Sequence, residues 1–290
     1  KTHRSKKFKT IKHGDNLEIR LIPSRGYKKH IGLGRLIDHI QMAWNLNRIL
    51  KIEKKIPDIA FIGYPPIETA FVISQWLRKR RVPVLLDVKD LWPSIFIEPF
   101  PSLLKPIARV VFSPYFILAK KVMKNADGIS TMSGGFMNWC LNFSNKSLSQ
   151  SDRIVRLTIF EDSSSAKELD SVIDWWSRIG VLPDTKKVYF AGTFSKSVFN
   201  FDEILSTAKV MKDCQFVLCG HGPYLDEVKD KAKNIPNVVF PGWINKLQLQ
   251  SLARMSLASL APYIDIDNFN LNIPNKIVDS LLLSAPILSP

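Results

Sequence analysis

Residues 187–220 read KVYFAGTFSKSVFNFDEILSTAKVMKDCQFVLCG. Two short runs rich in β-branched and aromatic residues, 187–192 and 215–220, each close on a glycine, and residues 201–212 between them carry apolar side chains at helical spacing. Strand, helix, strand with that punctuation predicts a βαβ unit and hence a parallel sheet. Downstream the alternation continues: a helix over 223–233, the strand NVVFPG (237–242), a helix over 246–255, the strand LASLAP (257–262), a helix over 274–284 and a final PILS. Residues 183–290 therefore read as one doubly wound, Rossmann-like domain.

Upstream, SNKSLSQSDRIVRLTIFEDSSS (144–165) is rich in Ser, Asn and Asp, apart from one apolar run at 154–160, and leads into AKELDSVIDWWSRIG, read as a bridging helix. Residues 151–182 are expected to be an interdomain region. Before it the same rhythm runs through the strand LEIRLI (17–22), a helix over 32–55, the strand DIAFIGY (58–64), a helix over 66–80, the strand VPVLLD (82–87), a long helical segment at 101–124, GIS (128–130) and a short helix from Gly134. Residues 1–150 make a second domain of the same α/β class. Lys1 is not an initiator, the strand and glycine loop expected before Leu17 are missing, and Pro290 stands where another crossover should begin. The sequence reads as a piece of a longer chain.

Charge separates the two halves. Residues 1–150 hold 26 Lys and Arg against 10 Asp and Glu, net +16, while 151–290 hold 15 against 16, net −1. One domain is thus expected to face a polyanion, either an anionic membrane surface or nucleic acid, although a solvated lysine-rich face would account for KTHRSKKFK equally well. Three cysteines, Cys140, Cys214 and Cys219, provide no disulfide framework and fit a reducing compartment. The longest apolar run, VVFSPYFILA (110–119), is too short to span a bilayer. The helical segment around it carries Lys105, Arg109, Lys120, Lys121 and Lys124 beside an apolar face. It is either a core-packed helix with snorkelling lysines or a face that rests on anionic lipid.

In open parallel sheets ligands bind beyond the carboxyl ends of the strands, so the residues there are the candidates. Gly192 and the Gly220/Gly222 pair would let backbone N–H groups approach a phosphate, or would serve turns alone. Lys196 in GTFSKS, His221 in GHGP, Gly242 and Trp243 in PGWI, and Lys276 in IPNK fall on the same edge. Pro274 is pre-set for the first turn of a helix, with Ile277, Leu281 and Ser284 following at helical spacing, so Lys276 lies in that turn. A cation is unfavourable at a helix N-terminus unless an anion faces both, and Asp279 follows one turn behind. Asp87 and Asp90 in DVKDLWP are the close carboxylate pair at a strand end of the basic half, there either to cap the next helix or to work on a substrate. No histidines have metal-ligand spacing, and neither a P-loop nor a G-x-S-x-G elbow is present.

The ordered set LLDVKDLWP, ADGISTMS, YFAGTFSKS, FVLCGHGP, NVVFPGWI, ASLAPY and IPNKIVDSLLLSAPIL resembles glycosyltransferase family 4, retaining enzymes of the two-domain GT-B fold, and within it the bacterial branch that builds cell-surface polysaccharides. The resemblance implies two Rossmann-like domains facing across a cleft, with the nucleotide-sugar donor on the C-terminal domain and the acceptor on the N-terminal one. It places Gly192, Lys196 and Lys276 at the donor's diphosphate, Gly220, His221 and Gly222 near ribose and phosphates, Gly242 and Trp243 at the base, and Asp279 where a ribose-binding glutamate usually stands. Asp87 and Asp90 fall to the acceptor side, as orienting groups or as a base. Leu271 and the VFNFD segment depart from the family pattern. The function implied is transfer from a UDP-sugar to a lipid-linked or glycan acceptor at the cytoplasmic face of a membrane, with no metal, no cofactor and no nucleic acid. The other readings are a GT-B sugar-nucleotide epimerase and a basic nucleic-acid-binding protein; against the latter, no RNA or DNA module is recognisable.

Overall fold

The computed structural model describes residues 8–27, 33–157 and 164–290, so most of KTHRSKKFK lies outside the described residues. Contacts divide the chain into two compact units, Lys1–Arg156 and Leu157–Pro290. The first opens with a hairpin: β1 (Lys9–His13) and β2 (Leu17–Leu21) pair antiparallel, from Lys9↔Leu21 to His13↔Leu17. Expected in the parallel sheet, β2 instead belongs to a separate two-stranded one. Its own sequence explains the difference. Leu17, Ile19 and Leu21 alternate with Glu18 and Arg20, which gives one apolar face, whereas strands buried in parallel sheets are apolar on both.

The unit continues with α1 (Leu33–Ile52), β3 (Ala60–Tyr64), α2 (Ile67–Arg78), β4 (Val84–Val88), α3 (Lys105–Val111), α4 (Ser113–Asn125), β5 (Gly128–Thr131), α5 (Gly134–Ser144) and β6 (Arg153–Ile154). β3 to β6 form a parallel sheet in that order. Leu86 and Val88 of β4 meet Tyr64, Ile67, Val122 and Ile129 in its core. The long segment at 101–124 is not one helix: the stretches Ser102–Val111 and Ser113–Asn125 meet at a bend of 67°. Pro114 lacks an N–H and its ring crowds the preceding turn, so a continuous helix cannot pass it. Among the described residues no single helix is long and apolar enough to cross a membrane; this bent pair passes that test only when taken together.

In the second unit the expected bridging helix is two, α6 (Ala166–Asp170), begun by a Ser165–Glu168 capping box, and α7 (Ile173–Arg178). Then come β7 (Lys187–Ala191), α8 (Phe201–Val210), β8 (Gln215–Cys219), α9 (Leu225–Ala232), β9 (Val238–Gly242), α10 (Lys246–Met255), β10 (Ala258–Leu260), α11 (Asp267–Asn270), α12 (Asn275–Leu282) and β11 (Ile287–Leu288). The five strands are parallel in the order β11-β10-β7-β8-β9. The chain winds outward from β7 through β9, then crosses back to lay β10 on the other side of β7. A crevice opens at such a reversal, beyond the carboxyl ends of β7 and β10.

Strand alternation divides the apolar runs between two cores. Val188, Phe190, Phe216 and Leu218 pack with α8 and α9 residues such as Phe201 and Val228. Tyr189, Val217 and Cys219 face the other way, onto Trp176 and Leu252. Lys187, fully buried at the far end of β7, donates to the carbonyls of Pro183 (2.9 Å), Thr185 (2.5 Å) and Met255 (3.4 Å). Those three oxygens replace its water, and burial pulls its pKa down.

Candidate functional site

Beyond β7 and β8 the glycine loops lie backbone on backbone. Gly220 has φ +127°, and a Cβ on it would stand 1.8 Å from the Gly192 carbonyl oxygen; one on Gly222 would stand 2.2 Å from the Phe194 carbonyl oxygen. The N–H of Gly192 donates to Cys219 O (3.0 Å) and that of Gly220 to Gly242 O (2.7 Å). These two N–H groups, expected to approach a ligand, are therefore engaged inside the loops. Those of Thr193, His221 and Gly222 have no partner among the described residues. The His221 ring lies against Gly242, where a Cβ would be 3.8 Å from Nε2. Exposed Lys196 holds its ammonium 5.5 Å from the Tyr224 ring centroid.

Lys276 sits in the first turn of α12, as expected, although Pro274 is the N-cap and Asn275 the first helical residue. Its ammonium curls back to donate to the carbonyl oxygen of Ala191 at the end of β7. It rests 3.9 Å above the Phe190 ring centroid and 5.4 Å from that of Phe199. An aromatic face and a carbonyl thus hold a cation that the helix N-terminus repels. Burial pulls the Lys276 pKa down to about 8, against the opposing pull of Asp279 and Cys219. Asp279 is exposed as a residue, yet partial burial holds its carboxyl above the ordinary range while Lys276 works against that shift. The N-cap supplies no side-chain hydrogen bond, and the N–H groups of Asn275 and Lys276 have no partner among the described residues.

A cleft of about 930 Å³ within the second unit is lined by Ala191, Gly192, Gly220, Trp243, Ile244 and Asp279 among others, while Lys276, Lys196, His221 and Gly222 are not in its lining. Its far wall is α10, whose Asn245–Gln248 capping box fixes the turn after Trp243. Such a volume is ample for a small organic ligand, and Lys246 and Arg254 of α10 are the cations in its lining.

In the first unit Asp87 lies within β4 rather than beyond it. It is buried, accepts from Ser130 Oγ (3.0 Å) and sits 3.1 Å from Lys89 Nζ. Asp90 follows three residues on, half-buried outside the strand. Two residues that the sequence did not single out also lie here: His39 on α1 and Glu68 in the first turn of α2, both buried. The signal for His39 was its place on the stripe of His39, Ala43, Leu46 and Leu50, all buried. Among the described residues no three His, Cys, Asp or Glu are grouped to hold a metal ion.

No family profile and no curated protein matches the chain by sequence. Solved structures do match by shape. Sucrose-phosphate synthase from Thermosynechococcus elongatus aligns over 99% of this chain and 68% of its own, with a TM-score of 0.69 and 13% identity. The fold is that of the GT-B glycosyltransferases. HepE from Anabaena, solved in complex with UDP and glucose, aligns over 93% of this chain and 66% of its own, with a TM-score of 0.62 and 12% identity. A glycosyltransferase from Rickettsia africae follows at 0.57 and 10%, over 91% and 65%. This chain spans about two thirds of the length of each.

Proposed function

We propose that this chain belongs to a glycosyltransferase that moves a sugar from a UDP-sugar to a lipid-linked or glycan acceptor, with retention at the anomeric carbon. The observation that carries the reading is the Lys276 ammonium held against Ala191 O, 3.1 Å from where a Cβ on Gly192 would stand, with Ala191, Gly192, Gly220 and Asp279 lining the cleft beside it. A nucleoside diphosphate leaving group gathers negative charge as its bond to the sugar breaks, and fixed donors stabilise that charge without reorganising. The donor falls to the second unit, with Asp279 accepting from ribose hydroxyls, and the acceptor to the first, beside Asp87 and Asp90. Calorimetric titration with UDP, ADP, GDP and inorganic pyrophosphate tests this: UDP should bind tightest, and a protein that binds none of the nucleotides would overturn it.

We propose that the acceptor side rests on the cytoplasmic face of a membrane; the surface of α3 supports the membrane contact. Ile107, Val110 and Val111 of α3 and Leu103 in the turn just before it are 62%, 73%, 66% and 91% exposed, so this face is not core-packed. Lys105 and Arg109 flank it, and Lys120, Lys121 and Lys124 follow on α4. An apolar stripe between cations is the pattern of a helix lying in a lipid interface. Vesicles of anionic lipid should float with the protein and neutral ones should not. Ile107→Asp with Val110→Asp should lower the partition coefficient at least 100-fold, since each buried apolar side chain contributes about 1.5–3 kcal/mol. Unchanged flotation of the double variant would remove α3 from the contact.

A further inference from the structure

A second cavity, of about 400 Å³, lies wholly within the first unit, beside the start of β4 where α2 and α4 end. Its lining sets three cations, Arg78, Arg81 and Lys124, against a single carboxylate, Asp127. None of the three cations is in an ion pair among the described residues. Asp127 is engaged elsewhere: its Oδ2 accepts from Val84 N–H at 2.8 Å and its own N–H donates to Val84 O at 2.9 Å, which ties the approach to β5 onto β4. Like charges gathered without a counter-charge repel one another, and an anion placed among them turns that repulsion into attraction.

The helix dipole accounts for part of this arrangement. A helix C-terminus carries about half a negative charge, so Arg78 in the last turn of α2 and Lys124 in the last turn of α4 are each favourable where they stand. Arg81 has no such reason. It lies beyond α2, in a turn closed by Arg81 N–H to Arg78 O and Val82 N–H to Leu77 O, both 3.1 Å, and its φ is +57°. This is the left-handed position of a helix-ending turn, where glycine is the usual residue because it has no Cβ to crowd the backbone. An arginine held there brings a third cation to the cavity in a conformation that glycine would adopt more easily.

The other polar lining adds a donor. Arg78 Nη1 donates to Asn125 Oδ1 at 2.6 Å; a guanidinium can only donate, so the amide oxygen of Asn125 faces it and Nδ2 is turned away, with no partner among the described residues. Two guanidinium forks, an ammonium and an amide around one small cavity match the oxygens of a phosphate group, which arginine binds through paired, charge-assisted hydrogen bonds. The volume leaves room for a small organic substituent on that phosphate. We propose that this cavity is a binding site for a phosphate ester, either a soluble one or the headgroup of an anionic lipid. The second source enters because Lys120 and Lys121, both exposed, stand one turn ahead of Lys124 on α4 and extend the basic surface away from the cavity.

Phenylglyoxal labelling of arginines in the full chain, read residue by residue by mass spectrometry, tests the site whatever the second unit binds. The soluble probe is sn-glycerol 3-phosphate, and the lipid probe is vesicles of phosphatidic acid in phosphatidylcholine. With a probe at about ten times its Kd, labelling of Arg78 and Arg81 should slow about tenfold, while exposed Arg48 of α1 labels as before. Protection by glycerol phosphate assigns the site to a soluble ester, and protection by the vesicles alone assigns it to a lipid headgroup. Arg81→Gly removes one cation and gives the turn the residue that its φ favours, so the unfolding temperature should stay level or rise while protection of Arg78 requires about tenfold more probe. Lys124→Met should weaken protection to a similar extent. Absence of protection by both probes, protection that extends equally to Arg48, or an affinity unchanged in both variants would overturn the site.

Discussion

Replacing Lys276 with methionine will weaken UDP binding roughly 10- to 150-fold at pH 7, about 1.5–3 kcal/mol, as for a hydrogen bond to a charged group. The methionine keeps the apolar stem over Phe190 and removes the charge, so the loss reports the ammonium rather than packing. Without ligand that ammonium is held by the Ala191 carbonyl and two aromatic faces, all of them weaker partners than a diphosphate. The same lysine gives binding a pH dependence of definite sign. Its pKa of about 8 means that it is charged below that pH in the free protein. A bound diphosphate favours the charged form, so binding above about pH 8 takes up a proton. UDP affinity should be level below pH 8 and fall above it, by at most about tenfold per unit, and the methionine variant should show no such fall. Stability of the free protein moves the other way. The folded pKa lies below the ordinary value of 10.5, so between about 8 and 10.5 the unfolded chain holds a proton that the folded one has shed. In that window this group makes stability rise with pH. A wild-type affinity that is flat from pH 7 to 10 would show that Lys276 does not meet the phosphates.

How much of this is legible in the sequence depends on how far apart the partners lie. KVYFA and QFVLC are apolar on both strand faces, and the structure places them as neighbouring central strands of a parallel sheet. Lys276 is recognisable as a first-turn cation because helix spacing is local, but its partner Ala191 is 85 residues away and only the strand order brings them together. Helix α1 shows the opposite limit. Ile37, Ile40 and Trp44 are exposed while His39, Ala43, Leu46 and Leu50 are buried, so apolar residues occupy both sides and periodicity alone could not tell which side faces the core. The engaged N–H groups of Gly192 and Gly220 were hidden for another reason: a glycine after a strand has the same sequence signature whether a ligand or another loop approaches it.

Gly220→Ala will unfold the second unit or cost it about 4 kcal/mol or more. Two independent penalties meet at this position. Its φ of +127° is a backbone conformation that side chains rarely adopt, and the new Cβ would stand 1.8 Å from the Gly192 carbonyl oxygen, where no rotamer can relieve the clash because both partners are backbone. The loops can separate only by breaking Gly192 N–H to Cys219 O, Gly220 N–H to Gly242 O and Phe194 N–H to His221 O, which together hold the ends of β7, β8 and β9 in register. Each bond contributes about 0.5–1.5 kcal/mol, and each group left buried without a partner costs more. The crevice is built on those ends, so UDP binding should be lost along with the fold. Urea denaturation measures the effect, with Gly63→Ala as control: no atom lies within 4 Å of a Cβ there and the backbone needs no positive φ. That control should be neutral or gain about 0.4–1 kcal/mol from a less flexible unfolded chain. If Gly220→Ala remains within about 1 kcal/mol of the wild type and still binds UDP, the two loops do not cross as described, and the N–H groups assigned to their packing are free for the ligand after all.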